Sequence, residues 1–188
     1  MHLRYRRHLP AKAVILLRFA CPASLVARGM AIRAEHEADL PTLRALFRTQ
    51  RWAEFALLPW DDAAREAFID QQFDAQRRHY ILGQEQVLFL VVTEGDHVIG
   101  RLYLGGDAAT TVCLLDILLL ACRRGQGIGT ALIEALVAQV TRDGRNVVLQ
   151  VDKHNPALEL YRRLGFRAYD ETGVAWKMAW SHGVSHAR

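Results

Sequence analysis

Apolar residues along this chain recur at two periods, one near 3.6 residues and one near 2, and the switches between them divide it into elements. Asp39 to Thr49 opens with an Asp cap and a Pro two positions later, then places Leu43, Leu46 and Phe47 on one inward helical face. A second helix is predicted from about Asp62 to His79, with Phe68, Ile69, Gln72, Phe73 and Gln76 along adjoining faces. An aromatic linker, Trp52 to Asp61, joins the two. Val87 to Thr93 and His97 to Leu104 are apolar segments around Glu94-Gly95-Asp96, which predicts a hairpin. Val112 to Leu120 is an apolar run with one acid, Asp116, and reads as a buried strand. Ile128, Leu132, Ala135, Leu136 and Val140 then return to helical spacing. Asn146 to Asp152 reads as another strand, and Phe166 to Asp170 with Val174 to Trp180 make a final pair around Gly173. No internal repeat is present.

Between the apolar strand and the helix that follows it stands Arg124-Gly125-Gln126-Gly127-Ile128-Gly129-Thr130. Glycines at a strand-to-helix turn leave backbone N–H groups uncovered, and the first helical turn adds unpaired donors and the positive end of the dipole. A phosphate or pyrophosphate suits such a seat. No Lys-Ser or Lys-Thr follows the glycines, which speaks against a nucleotide triphosphatase. The glycines fall as G-x-G-x-G, late in the chain, so a Rossmann dinucleotide site fits poorly too.

The spacing R-x-x-G-x-G at Arg124, Gly127 and Gly129 resembles the acyl-CoA loop of the GNAT superfamily of N-acetyltransferases. About 25 residues on, Asn155-Pro156-Ala157-Leu158-Glu159-Leu160-Tyr161-Arg162-Arg163-Leu164-Gly165-Phe166 resembles the family's N-x-x-A-x-x-L-Y-x-x-x-G-F signature. Ala157 comes one place early, leaving Leu158 at the small position. A short helix is expected there on physical grounds alone, with Asn155 as cap, Pro156 at the first position and Gly165 ending it. The resemblance covers roughly residues 30 to 180. It implies an α/β fold, a mixed, mostly antiparallel central sheet flanked by helices, as in acyl-CoA N-acyltransferases. It also implies direct attack of an amine on acetyl-CoA while both substrates are bound. The expected acceptor is a primary amine of a small molecule. The alternatives are a protein or peptide amine and a non-catalytic acyl-CoA-binding module.

What the resemblance implies for residues is specific. Backbone N–H groups from about Gln126 through Gly127, Ile128, Gly129 and Thr130 would cradle the pyrophosphate, with Arg124 and Gly125 at its mouth. The pantetheine arm would run beside Leu118, Leu119 and Leu120, in a gap facing Gln150-Val151, with one N–H near Leu118 or Leu119 polarising the acetyl carbonyl. Tyr161 takes the general-acid position, three residues after Leu158 on one helical face. The competing reading is a core tyrosine packed under its helix. Asn155 could bond the cofactor arm or only cap its helix. An acid inside an apolar strand is costly unless paired or useful, so Asp116 is either the base or half of a salt bridge with Arg101. Glu54, Asp61 or Asp62 could serve as base through water. Trp52, Glu54, Phe55, Trp60, Asp61, Phe73, Gln76, His79 and Tyr80 could form an aromatic, acidic pocket for a small cationic amine. Ordinary duties compete here too, with Phe73 and Phe68 in the core and the acids solvated or capping.

Composition narrows the rest. With 188 residues, 51% of them hydrophobic, the chain suffices for one domain with a proper core. Six of its 24 basic residues fall in the first 29 positions, which hold no acid, so the remaining 18 face 20 acids and the net charge there is −2. A nucleic-acid partner is not expected of that balance, and no apolar run is long enough for a membrane span. Residues 1–29 are expected to be a basic leader outside the fold, a targeting segment or an upstream start before Met30, with one domain over 30–180 and a mobile tail over 181–188. Cys21, Cys113 and Cys122 show neither metal nor redox spacing, and the histidines show no paired spacing, so no metal is expected and a cytosolic setting is the simplest. A homodimer is left open.

Overall fold

In the computed structural model, which describes residues 18–107 and 110–181, seven strands make one sheet. They are β1 (Met30–Ala34), β2 (Gln86–Glu94), β3 (His97–Gly106), β4 (Thr111–Leu119), β5 (Asn146–Asp152), β6 (Arg167–Glu171) and β7 (Ala175–Trp180). The order across the sheet is β1-β2-β3-β4-β5-β7-β6. Every neighbouring pair is antiparallel except β4 and β5. Five helices accompany it among the described residues: α1 (Ala23–Val26), α2 (Leu40–Arg51), α3 (Asp62–Gly83), α4 (Ile128–Arg142) and α5 (Ala157–Arg163). This is the mixed, mostly antiparallel architecture expected.

The parallel pair creates the site. A strand, helix and parallel strand need a crossover, and α4 supplies it. β4 and β5 pair only from Thr111↔Asn146 to Leu114↔Leu149, and beyond that point they part. In β4 the parting coincides with a bulge: Tyr103 faces Asp116 and Leu104 faces Leu114, so Leu115 has no partner on β3. The predicted hairpin closes on two residues, with Glu94 paired to His97 and Gly95 at φ 56°.

Alternation along the strands separates two cores. Leu90, Val92, Leu102 and Leu104 face α4 and α5, where Leu132, Leu136, Tyr161 and Phe166 meet them. Val91 points the other way, into a cluster with Leu43 and Phe47 of α2 and Ile69 and Phe73 of α3. Phe73 is fully buried there, edge to face with Phe47 at 5.6 Å between ring centroids, so it lines no acceptor pocket. The aromatic ring serves packing instead.

Two boundary expectations change. Residues 18–29 belong to the fold: Leu25 is 1% exposed in the main core, Phe19 and Cys21 pack against it, and Gln139 of α4 donates its amide to the Arg18 carbonyl at 2.6 Å. The basic composition hid a short apolar anchor. The rest of the expected leader, 1–17, and the tail 182–188 lie outside the described residues. Asp39 does not cap α2. It ends a 3₁₀ turn, Glu37–Asp39, and its carboxylate accepts from both Arg33 nitrogens, at 2.6 and 2.8 Å, and from the His36 N–H at 2.8 Å.

Candidate active site

β4 ends at Leu119 and passes through a 3₁₀ turn, Ala121–Arg123, into the glycine loop. Gly125 and Gly127 take φ of 71° and 77°, the left-handed region that side chains resist, and a Cβ on either would meet nothing within 4 Å. The backbone is therefore open on that side. The first ladder bond of α4 runs from Ala131 N–H to Gly127 O at 3.0 Å, which leaves the amides of Ile128, Gly129 and Thr130 without helical partners. The Gln126 side chain folds onto the Cys122 carbonyl at 2.8 Å, and Arg28 donates to the Gln126 carbonyl at 3.1 Å. Both hold the shape of the loop.

A cavity of about 950 Å³ extends from this loop along the parted strands to α5. Leu118, Leu119, Arg124, Gly125, Gly127, Ile128, Gly129, Thr130 and Asn155 line it, as do Asp116 and Tyr161. Leu120, Gln126 and Leu158 do not. The Leu120 N–H is spent on the Ile99 carbonyl at 2.9 Å, and Leu158 is 8% exposed in the main core. Register decides between the two expected backbone donors. Leu120 and Leu118 turn their amides toward β3, so alternation turns Leu119 toward the gap, and the Arg124 Nε on the Leu119 carbonyl at 3.0 Å agrees.

Tyr161 is 6% exposed and packs edge to face against Phe166 at 5.7 Å, yet no hydrogen-bond partner reaches its hydroxyl among the described residues. Burial, and then the nearby Asp116 charge, push it up to about 12, so it keeps its proton at neutral pH. Asp116 meets Arg101 at 2.5 Å, the salt bridge foreseen as the alternative to a base. Burial raises the Asp116 carboxyl above its ordinary value, against the opposing pull of Arg101 and the Ile117 N–H. Its side chain retains 17% exposure while Arg101 has 1%, so Asp116 is the member of the pair that lines the cavity, although the Oδ2 that meets Arg101 is itself buried. Asn155 Oδ1 accepts from the Ala157 N–H at 2.8 Å, a capping bond made at the cavity wall.

A second cavity, about 450 Å³, lies beside α3 and shares Leu114, Leu115 and Gln150 with the first. The two therefore meet where β4 and β5 part. Gln76, His79 and Tyr80 line the smaller cavity and Glu54 the larger, where Glu54 is paired to Arg51 at 2.9 Å. Trp52 and Trp60 line neither. Arg65 covers Trp52 at 4.8 Å, and Trp60 packs with Phe55 and Phe68. Asp61 caps α3 through the Ala64 N–H at 2.7 Å, and Asp62 pairs with Arg65. Tyr169 and Lys177, in the wall of the smaller cavity, were not foreseen. The pairing of Gln150 with Lys177 across β5 and β7 brings Lys177 there, and the pairing of β6 with β7 brings Tyr169.

Residues 85–168 match the acetyltransferase (GNAT) domain family. The chain carries a GNAT domain. The matched stretch holds β4, the glycine loop, Asp116 and Tyr161. The chain is 30% identical over 144 residues to histone acetyltransferase TAP1 of Glycine max, an alignment covering 74% of this chain and 58% of that relative's length. A solved PaiA N-acetyltransferase from Thermoplasma acidophilum, in complex with coenzyme A, superposes with a TM-score of 0.62 at 21% identity, covering 81% of this chain and 99% of that one. Spermidine N-acetyltransferase from Vibrio cholerae, with CoA and spermine, gives 0.56 at 18% identity, over 81% and 95% of the two chains. These likenesses show the GNAT fold. Among the described residues no group of three or more His, Cys, Asp or Glu could hold a metal, and no helix is long and apolar enough to cross a membrane.

Proposed function

We propose that this GNAT protein is an acetyl-CoA-dependent N-acetyltransferase that acts on a primary amine of a small molecule. The observation that carries the reading is that one cavity joins the open glycine loop to Tyr161, whose hydroxyl has no hydrogen-bond partner among the described residues. The loop fits the cofactor, because its left-handed glycines leave space where any Cβ would stand and its amides have no helical partners. Acetyl-CoA would supply an acetyl thioester to be cleaved by the amine nitrogen.

The chain's own groups divide the remaining work. Amides of the loop and the first turn of α4 bind the pyrophosphate. The Leu119 N–H polarises the acetyl carbonyl as the C–N bond forms. Tyr161 gives its proton to the departing thiolate. Asp116, raised by burial, takes a proton from the amine, directly or through water. Three free cysteines suit a reducing, cytosolic compartment.

A protein acceptor is the second reading, favoured by the likeness to histone acetyltransferase TAP1 of Glycine max. Calorimetry of the full chain with acetyl-CoA, followed by thiol release over a panel of amines and peptides, tests both. Acetyl-CoA binding with amine-dependent release is expected. Release with peptides alone would transfer the reading to a protein acceptor, and absence of binding would overturn it.

A further inference from the structure

The smaller cavity is asymmetric in charge. No Asp or Glu lines it, while Lys177 and His79 do, together with the amides of Gln76, Gln84 and Gln150. One of its hydroxyls is already spent, since Tyr80 donates to the Leu115 carbonyl at 3.1 Å. Asp116, the nearest carboxylate along β4, stands at the junction with the larger cavity, one residue past the shared Leu115. Lys177 stands at the opposite wall, where β5 and β7 pair. Its ammonium offers three donors, and one goes to Asp170 at 2.7 Å. Both partners of that pair are substantially exposed, with 37% and 50% of their side-chain surface accessible, so the contact is weak and open to competition.

We infer that the acceptor is an amino carboxylate, its amine directed to the junction near Asp116 and its carboxylate received by Lys177 in the smaller cavity. This rests on the acetyl-transfer reading and gives it a substrate class. A diamine would bring its second ammonium to a wall lined by Lys177, where the neighbouring acid, Asp170, is already paired to the lysine. A carboxylate finds there a charged donor and neutral amides that can point their NH₂ groups at it. The aromatic, acidic pocket for a small cationic amine expected from Trp52, Trp60 and Phe73 is not assembled, which removes the feature that favoured an acceptor recognised by its positive charge alone. About 450 Å³ lies in the range of small-molecule sites.

The test measures thiol release by the full chain with three acceptor series of matched length: amino carboxylates from α-amino acids to ω-amino acids, their carboxamides, and the corresponding diamines. The carboxylates are expected to give the highest kcat/KM. Lys177→Met should lower that value by about 10- to 100-fold, the scale of one charge-assisted hydrogen bond, with acetyl-CoA binding unchanged and the diamine rates unchanged or raised. Asp170→Asn is the control, because it breaks the same ion pair and should leave the preference intact or strengthen it. A preference for diamines, an equal loss across all three series in Lys177→Met, or the same loss in Asp170→Asn would overturn the inference while leaving acetyl transfer standing. Thiol release from none of the acceptors would overturn both, and acetyl-CoA calorimetry would then show whether the cofactor site alone survives.

Discussion

Asp116 of β4 reaches diagonally across to Arg101 of β3, oxygen to nitrogen at 2.5 Å, from a register in which Asp116 faces Tyr103 and Arg101 faces Leu118. The pair is compatible with a proton-accepting role, because Asp116 and not Arg101 lines the cavity. Burial raises its pKa, so the ionised form accumulates only above the ordinary carboxylate value of about 3.9. If Asp116 is the base, kcat/KM rises with pH through that elevated midpoint. Asp116→Asn should lower kcat/KM by about 10²- to 10⁴-fold and abolish that acid limb. A variant that retains the limb would assign the base to another group.

Tyr161 offers a cleaner separation of chemistry from packing. Its ring is held by Phe166 and the main core, and its hydroxyl has no hydrogen bond to lose among the described residues. Tyr161→Phe should therefore leave the melting temperature and acetyl-CoA affinity near those of the parent. Turnover should fall by about 10²- to 10⁴-fold, provided chemistry limits the rate. Unchanged turnover under that condition would remove the residue from the mechanism.

These two residues also show what the sequence could and could not convey. An acid in an apolar strand demands a partner, so Asp116 and Arg101 could be linked before any coordinates. The loop at Arg124–Thr130 and the helix of Tyr161 were equally legible, since glycine placement, capping residues and helical spacing are all local. Arg33 and Asp39 were not, because an Asp before a helix reads as a cap until its neighbour on β1 is known. Trp52 and Phe73 show a similar limit: composition marks an aromatic region, but which ring faces a cavity depends on how α2 and α3 pack. Lys177 enters through the β5–β7 register, a relation between segments far apart in the chain.

Gly127 should separate cofactor binding from the rest of the site. At φ 77° a side chain costs about 1–2 kcal/mol in backbone strain, and it would also project into the open cradle. Gly127→Val should lose acetyl-CoA affinity in calorimetry before it loses the fold. Gly129 is the control for stability, because its added Cβ makes only ordinary contacts, 3.9 Å from Ile117 and Leu160, and its φ is not left-handed. Gly129→Ala should melt no lower than the parent. Undiminished binding by Gly127→Val would remove the loop from the cofactor site.

Leu25 tests whether the segment before β1 is structural. At 1% exposure in the main core, its truncation to Ala should cost about 2–5 kcal/mol in urea unfolding, the range for a buried leucine. Val26, the next residue of α1 but 55% exposed, should tolerate the same change. Equal, small effects at both positions would return residues 18–29 to a dispensable leader.

Asp39 predicts an acid-dependent loss of stability with a defined sign. Arg33 hydrogen bonding is the largest cause of its carboxyl falling to about 2, with the His36 N–H and the Arg33 charge acting the same way against burial. In the unfolded chain the value returns to about 3.9. A depressed folded pKa means the stabilisation is fully present above the unfolded value and is lost as pH falls through the folded one. Because Arg33 is 37% exposed, solvent screening holds the contribution to about 1–2 kcal/mol at neutral pH. Asp39→Ala should thus be less stable than the parent at pH 7 by that amount in urea unfolding. The difference should shrink between pH 4 and about 2, as the parent's own carboxylate takes up its proton. A difference that stays constant over that window would mean Asp39 contributes through packing of the 3₁₀ turn rather than through its charge.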